Sequence, residues 1–255
     1  LVGDLYQLEP VCPPAESLLL RHYSSPFFFS STAYQEASAF DRDGFTAVEL
    51  TQPFRQSEQH FLQALDGVRD GSGTPEHLAL INGRARSMSI QTIVSYLGEA
   101  DSTMLTTHRD QVTGWNQRML TDLPGDLSTF QAKVVGNFPR DHFPTDEILT
   151  LKQEAKVMLL RNNPPRWGNG TIGRVVDINR YGVGVELFSG YRAWLEEERW
   201  EHYRYELVDG EVQRVSDGSF TQLPVRLAWA STIHKAQGFN LDRAMVNLTR
   251  EPFAC

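Results

Sequence analysis

The 255-residue chain has room for about two domains, and its composition, 40% hydrophobic and 22% charged, is that of an ordinary globular protein. This composition excludes a disordered tail, a collagen-like fibre and a coiled coil. The formal net charge of −8 argues against a generally basic nucleic-acid binder, although a groove can still be locally basic.

Neither apolar runs nor cysteines point to secretion or to a membrane. No apolar run approaches the roughly 20 residues that a membrane-spanning helix needs, and no basic segment leads into an apolar one near Leu1. Cys12 and Cys255 are too few for a disulfide framework or a four-ligand zinc site. We expect a cytoplasmic or nucleoid-associated protein that is not secreted and has no membrane partner.

The first half of the chain shows helical patterns separated by short extended ones. Apolar spacing predicts helices over residues 17–20, 31–40, 57–69 (with Ser57 as N-cap) and 110–120, and strands over 48–50 and 103–107. The helix over 57–69 should end at Asp70-Gly71, followed by a loop over 72–75. Residues 90–97 fit a strand or a helix equally well.

After Pro139 the pattern changes to closely spaced short strands. Strands are predicted over residues 155–160, 171–178 and 183–187, and alternating stretches continue to about residue 215, which is typical of a small β-barrel. Asp146-Glu147 is interpreted as a capping pair at a helix start. Residues 225–230 predict one buried strand that leads into a helix, and residues 243–248 predict another strand.

Three short segments carry the chemistry. In the first, Gly3-Asp4 and Gln7 follow an apolar strand, so Asp4 and Gln7 would lie at the carboxyl edge of a sheet, where phosphates and metal ions bind in open α/β folds. An ordinary Gly-Asp turn explains these residues equally well. In the second, Arg55 follows a strand and could reach a γ-phosphate, although a lone Arg before a helix is usually a surface residue.

The third segment covers residues 229–238, with the sequence WASTIHKAQG. An apolar strand runs into a helix start that is crowded with Ser231, Thr232, His234 and Lys235. Free N–H groups and the positive end of the helix dipole attract phosphate there, and the hydroxyls and Lys235 add donors. This combination favours phosphate binding over a chance helix start.

Together the three segments resemble the superfamily-one DNA helicases that move 5′ to 3′, in the Pif-type and RecD-like branch. Residues 3–8 are similar to their third motif, residues 54–56 to their fourth, and residues 232–238 to their fifth. Residues 151–173 are similar to the segment that those enzymes place before and inside a small barrel. The order and spacing agree along almost the whole chain.

The resemblance implies an α/β fold of RecA-like motor lobes with a small SH3-type β-barrel inserted in the second lobe. Residues 1–47 would be the remainder of the first lobe, 48–150 and 223–255 the second lobe, and 151–222 the barrel. The partners implied are single-stranded DNA and a preceding RecA-like part of the same protein, and the cofactors implied, in the complete protein, are ATP and Mg²⁺.

The resemblance also assigns roles to individual residues. Gln7 and Arg55 would sense the γ-phosphate, with Asp4 near the metal and its water, and Gly3, Gln237 and Gly238 would lie by the nucleotide. The residues expected to face the DNA backbone are Thr107, His108, Ser231, Thr232, His234 and Lys235. His108 stands where relatives commonly carry Asn, and Glu9 departs from their usual Pro-Pro pair.

Several family features do not occur in this sequence. No lysine follows a glycine, so the phosphate cradle G-x-x-x-x-G-K-[ST] (Walker A) is missing. Asp146-Glu147 follows Phe-Pro-Thr, so it is not the Walker B acidic pair, which closes an apolar strand. The last arginine motif would come after Phe253-Ala254. We therefore expect a C-terminal motor portion that does not hydrolyse ATP alone, although the parent protein would.

Other interpretations of the sequence stay open. The chain could be a non-enzymatic nucleic-acid-binding module that acts with a partner, or a degenerate gene product, whereas the lack of clustered carboxylates disfavours a metal-dependent nuclease. The seven histidines show no metal-ligand spacing. Trp194, Trp200, Tyr203 and Tyr205 fit the core of the small barrel better than a base-stacking surface, and residues 196–198 predict a solvated acidic face.

Overall fold

The chain forms two compact units, Leu1–Ser87 and Met88–Cys255. The structure, a computed structural model, describes residues 4–6, 23–40, 48, 50, 58–208, 211–237, 241 and 243–250. In this part of the chain no helix is both long and apolar enough to cross a membrane. The predicted helix over residues 17–20 lies outside the described residues.

The described part of the first unit is helical. After a 3₁₀ turn at Phe28–Ser30 come α1 (Thr32–Phe40), α2 (Gln59–Asp70) and α3 (Pro75–Asn82). The helices predicted over 31–40 and 57–69 are confirmed, and α2 ends as expected at Gly71, whose φ of 76° suits glycine. Val48 and Leu50 are not in a strand.

Two boundary predictions in this unit are wrong. The N-cap of α2 is Glu58, one residue after the predicted Ser57. The predicted loop over 72–75 is cut short because Pro75 begins α3: Thr74 caps this helix by accepting from the His77 N–H at 3.3 Å, and proline suits the first helical position.

The second unit contains a parallel α/β layer. It consists of α4 (Ile90–Gly98), β1 (Ser102–Thr106), α5 (Arg109–Asp122), β12 (Ala230–Thr232), α6 (Ile233–Ala236) and β13 (Arg243–Asn247). β1 lies between β12 and β13 and is parallel to both. The ambiguity over residues 90–97 resolves as helix, since the Ser89 hydroxyl caps α4 by accepting from the Thr92 N–H at 3.1 Å.

The rest of the second unit is antiparallel. Its strands are β2 (Ser128–Gln131), β3 (Lys133–Gly136), β4 (Ile148–Leu151), β5 (Lys156–Leu159), β6 (Ile172–Asn179), β7 (Gly182–Leu187), β8 (Arg192–Glu196), β9 (Glu198–Val208), β10 (Glu211–Gln222) and β11 (Val225–Leu227), with a 3₁₀ turn at Arg140–His142. They form sheets of order β11-β5-β6-β7-β8, β3-β10-β9 and β2-β4. The predicted short strands are confirmed, but these sheets are open rather than closed into a barrel.

Gly173 shows why one glycine is needed in β6. A Cβ on this residue would come within 2.7 Å of Val185 Cγ1 and 2.8 Å of the Glu186 carbonyl oxygen in β7. Only a residue without a side chain allows these strands to approach so closely.

Residues 225–230 are two strands rather than the predicted one. β11 pairs with β5, β12 pairs with β1, and Ala228 and Trp229 lie between them. The Ala228 N–H donates to the Lys156 carbonyl at 3.0 Å, whereas the Trp229 carbonyl accepts from the Met104 N–H at 2.8 Å. Apart from Arg226 the run is apolar through both strands, so hydrophobicity alone does not reveal the change of sheet.

Asp146-Glu147 does not cap a helix, contrary to the prediction. The two residues immediately precede β4, and the Glu147 carbonyl accepts from the Ala132 N–H at 2.8 Å. Strand pairing with a residue 15 positions earlier in the chain overrides the local capping signal.

The core of the second unit joins the parallel and antiparallel layers. Its fully buried members include Leu97, Met104, Leu149, Val157 and Val183. Trp200 packs edge-on against Phe220, with ring centroids 6.1 Å apart.

Trp194 is 42% exposed, so its assignment to a core is wrong, and the Tyr205 side chain lies outside the description. The register opposes Trp194 to Gly184 of β7, which has no side chain that could cover the indole. Residues 196–198 are exposed as predicted.

Candidate nucleic-acid interface

Several polar residues singled out from the sequence come together at the carboxyl edge of the parallel sheet. The register places Thr106 of β1 beside Thr232 of β12 on one side and Asn247 of β13 on the other. Thr107 and His108 follow β1 directly, and His234 and Lys235 follow β12. The predicted DNA-facing residues of the second unit therefore share one edge of one sheet.

Thr232 shapes the end of β12. Its hydroxyl accepts from the Lys235 N–H at 3.3 Å and so caps α6. Ser231 and Thr232 are buried, whereas His234 and Lys235 are exposed. The cap therefore fixes the backbone positions from which the exposed side chains of His234 and Lys235 project.

Two threonine hydroxyls lie at the end of β1 and in the turn that follows it, and they differ in their hydrogen bonding. Buried Thr106 accepts from the His108 N–H at 3.4 Å and also hydrogen-bonds the Gln111 side-chain oxygen. The buried Thr107 Oγ1 has no hydrogen-bond partner among the described residues. Because an unsatisfied buried hydroxyl is costly, Thr107 is well suited to a ligand oxygen.

Asn116 of α5 fixes the outer edge of β12. Its Oδ1 accepts from the Ala230 N–H at 2.9 Å and its Nδ2 donates to the Ala230 carbonyl at 3.1 Å. The buried amide thus occupies both backbone groups of Ala230, as a further strand would. This pair of bonds ties α5, and with it Arg109, to the strand that leads to Lys235.

A cleft of about 490 Å³ opens beside this edge. Arg109 of α5, Arg226 of β11 and Lys235 contribute cations to its lining, and Asp146 contributes a carboxylate. Crowding by protein atoms, together with repulsion from Arg226 and Arg109, lowers the pKa of Lys235 to about 8. Burial also lowers the pKa of Arg226, and burial raises the pKa of Asp146 despite the attraction of Lys235 and Arg226.

The remaining predicted site residues are not brought together by the described structure. Gly3, Gln7, Arg55 and Gly238 lie outside the described residues. Gln237 is exposed, and its N–H donates to the Ile233 carbonyl at 3.0 Å.

Asp4 belongs to the first unit, where it accepts from Arg69 Nη2 at 2.9 Å and from the Tyr6 N–H at 3.0 Å. Within the described part of the chain no three His, Cys, Asp or Glu side chains could hold a metal ion together. The roles expected for Asp4 and the other nucleotide-side residues stay predictions.

Sequence reasoning missed Arg109, Arg226 and Asp146. A signal existed for Arg226, since a lone arginine interrupts the apolar run over residues 225–230. Asp146 had no such signal, because its place in the cleft depends on the Thr145 hydroxyl, which donates to the Val225 carbonyl at 2.6 Å across 80 residues of sequence.

Comparisons with known proteins point to one family. The chain is 29% identical to the ATP-dependent DNA helicase PIF1 of Rattus norvegicus and 30% identical to that of Danio rerio, over 98% and 97% of its length. It spans about a third of these curated relatives, 36% in both cases. No protein-family model matches the chain.

Solved structures give the same result. Bacteroides sp Pif1 in complex with ADP-AlF4 matches with a TM-score of 0.70 and 31% identity, over 97% of this chain and 55% of that one. Bacteroides Pif1 bound to ssDNA matches with a TM-score of 0.68 and the same identity and coverage. Sequence and fold therefore agree that this chain has a RecA-like α/β fold and is similar to the Pif1 helicases along almost all of its own length.

Proposed function

We propose that the chain is the C-terminal motor portion of an ATP-dependent 5′-to-3′ DNA helicase that translocates on single-stranded DNA. The observation that carries this proposal is the gathering of Thr107, His108, Thr232, His234 and Lys235 at one sheet edge beside a cationic cleft. The edge belongs to a fold shared with Bacteroides Pif1, whose structures include one bound to ssDNA.

We also propose a division of the chain into domains, on the strength of its resemblance to this helicase family. Residues 1–47 would belong to a first RecA-like lobe, and 48–150 with 223–255 to a second. Residues 151–222 would correspond to the inserted SH3-type segment, although their strands belong to open antiparallel sheets in this structure.

The DNA side of the mechanism uses groups with clear donor chemistry. A strand crossing the carboxyl edge would meet the exposed side chains of His234 and Lys235. Such contacts to phosphate position a strand without reading its sequence, as translocation requires. Asn116 holds this surface in register by joining α5 to β12.

The nucleotide side would involve Gly3, Gln7, Arg55, Gln237 and Gly238. A bound triphosphate supplies the γ-phosphate charge, which Gln7 and Arg55 would sense from different lobes. Asp4, which is paired with Arg69, would lie near Mg²⁺ and its water. Alternate gripping of the strand by the two lobes would convert the hydrolytic cycle into stepping along DNA.

Replacing Arg55 in the full-length protein tests the proposal. Arg55→Ala should abolish DNA-stimulated ATP hydrolysis, because the γ-phosphate loses a bidentate donor, while single-strand binding should stay largely intact. A steady-state ATPase assay with and without oligonucleotide measures this effect.

The affinity for single-stranded DNA, measured with and without a non-hydrolysable ATP analogue, is the second measurement on the same proteins. Normal turnover in Arg55→Ala would contradict the motor assignment. Strand binding that ignores the nucleotide in the unmodified protein would instead favour a non-enzymatic binding module.

A further inference from the structure

Three cations of the cleft have no ion-pair partner among the described residues. They are Arg109, Arg226 and Lys235, from three different elements. Arg226 Nη2 has only a weak contact with Met158 Sδ, at 3.7 Å. At the same cleft Arg140 is neutralised by Glu147 at 3.5 Å. Asp141 and Asp146 also line the cleft, so its lining keeps an excess of one positive charge, in a chain whose net charge is −8.

Asp146 is the carboxylate that faces this cluster electrostatically. It attracts both Lys235 and Arg226, yet it lies beyond ion-pair distance of either. Its position is fixed from both sides, because the adjacent Thr145 hydroxyl donates to the Val225 carbonyl at 2.6 Å, and its own carbonyl accepts from Gln222 Nε2 at 3.4 Å. The carboxylate therefore lies near the cations without forming an ion pair with either Lys235 or Arg226.

The arrangement leaves space for an external anion. The cleft volume of about 490 Å³ exceeds that of a phosphate group, and Ser231 and Thr232 also line it, so the cleft is continuous with the DNA-facing edge. Arg109, Arg226 and Lys235 line the same cleft, so one bound anion could interact with all three charges. Repulsion from Arg226 and Arg109 also lowers the pKa of Lys235, which is consistent with this arrangement.

We propose that this cleft binds a backbone phosphate of the DNA strand through Arg109 and Arg226 as well as Lys235, and that Asp146 is a built-in counter-ion whose attraction the strand must overcome. The inference rests on the proposed function. It adds Arg109 and Arg226 as contacts to the strand, and Asp146 as a residue that lowers the affinity for the strand. A fixed internal anion lowers affinity and makes release easier, which suits a protein that must step along the strand.

Equilibrium binding of a fluorescein-labelled oligothymidine by the 255-residue chain, followed by anisotropy over a series of NaCl concentrations, tests the proposal. Asp146→Asn should tighten binding about fivefold, a gain that misfolding cannot produce. Arg226→Gln should weaken binding by about fivefold and reduce the salt slope by about one. The matched controls Asp177→Asn and Arg192→Gln change exposed residues of β6 and β8 and should leave affinity unchanged.

The outcomes separate this inference from the proposed function. Unchanged binding in Asp146→Asn and Arg226→Gln, with weakened binding in His234→Ala, would overturn the cleft inference and leave the motor assignment standing. Failure of the unmodified chain to bind the oligothymidine would overturn both. Tighter binding of a fluorescent ATP analogue by Asp146→Asn, without tighter strand binding, would assign the cleft to the nucleotide and overturn the inference.

Discussion

Lys235 has two separate tasks within one residue. Its N–H completes the Thr232 cap at 3.3 Å, while its side chain stays accessible at the cleft. The backbone contact is made whatever the charge of the side chain, but the proposed strand binding would need the protonated ammonium. Because the pKa of Lys235 is lowered to about 8, this charge is sensitive to pH slightly above neutrality.

The pH dependence of strand binding should therefore report on Lys235. Above a pH of about 8 the free side chain loses its proton, so the affinity for oligothymidine should fall by about fivefold between pH 7 and pH 9.5, equivalent to about 1 kcal/mol. A bound phosphate favours the charged form and moves the loss towards higher pH. Lys235→Arg should flatten the profile, since arginine stays protonated throughout this range. Parallel profiles for the two proteins would show that another group titrates.

At the scale of single residues, the sequence predicts what is local. Thr232, His234 and Lys235 are adjacent in the chain, so their common position at a helix start can be inferred from spacing alone. Asp146 and Arg226 are 80 residues apart, and their meeting depends on strand pairing that no local pattern encodes. The first group was found and the second was missed.

The outer side of the edge strand β12 is hydrogen-bonded by a helix rather than by another strand. With β1 on one side, its other side would expose the N–H and carbonyl of Ala230, and Asn116 of α5 takes both. Three residues make a short strand, so these two side-chain bonds form a large part of its outer hydrogen bonding.

Asn116→Ala should lower the free energy of unfolding by about 2 kcal/mol, because two buried backbone groups lose their partners. Urea unfolding of the chain, followed by tryptophan fluorescence, measures the change. Asn137→Ala is the matched control, since the exposed Asn137 side chain donates to the Asp217 carboxylate at the surface, and it should cost less than about 0.5 kcal/mol. Equal effects of the two substitutions would contradict the role given to Asn116.

At the scale of elements, regular apolar periodicity predicted helices correctly, whereas the points at which one element ends and the next begins were harder to predict. The predicted helix over 110–120 is confirmed as α5, with Met119 buried and Val112 and Trp115 packed against the core. The run over 225–230 gave no sign that its two halves join different sheets. Helix α3 was missed because Pro75 marks either a loop or a first helical turn.

The second unit is held together by a buried lysine. Lys156 of β5 donates from Nζ to the carbonyls of Leu97 and Ser102, both at 2.8 Å, and to that of Glu99 at 2.5 Å. These carbonyls lie at the end of α4 and the start of β1, so one side chain connects the antiparallel and parallel layers. Burial lowers the pKa of Lys156 to about 8, which leaves it mostly protonated at pH 7.

Lys156→Met should destabilise the chain by about 3 kcal/mol at pH 7, since charge-assisted bonds are lost and buried carbonyls are left unpaired. Urea denaturation, followed by far-ultraviolet circular dichroism, gives the free energy. Lys133→Met is the matched control, because Lys133 is 75% exposed and only 3.7 Å from Glu197, a surface pair of little value. An unfolding midpoint that does not move in Lys156→Met would show that other contacts join the two layers.

At the scale of the whole molecule, the α/β class and the strand-rich segment were predictable, but the pairing of strands was not. Strand β1 joins β12 across more than 120 residues, and the order β11-β5-β6-β7-β8 brings in a strand from beyond β10. Sequence periodicity reports which residues are buried, whereas the partner of each strand is decided by long-range packing.

The two-residue link at Ala228 and Trp229 has a mechanical consequence. Ala228 is bonded to β5 and the next residue, Trp229, to β1, so in the proposed motor a force that the DNA strand applies to Lys235 would pass into the antiparallel layer. A hinge cannot form at this junction without breaking buried backbone bonds. A force applied at Lys235 would therefore move the parallel and antiparallel layers together.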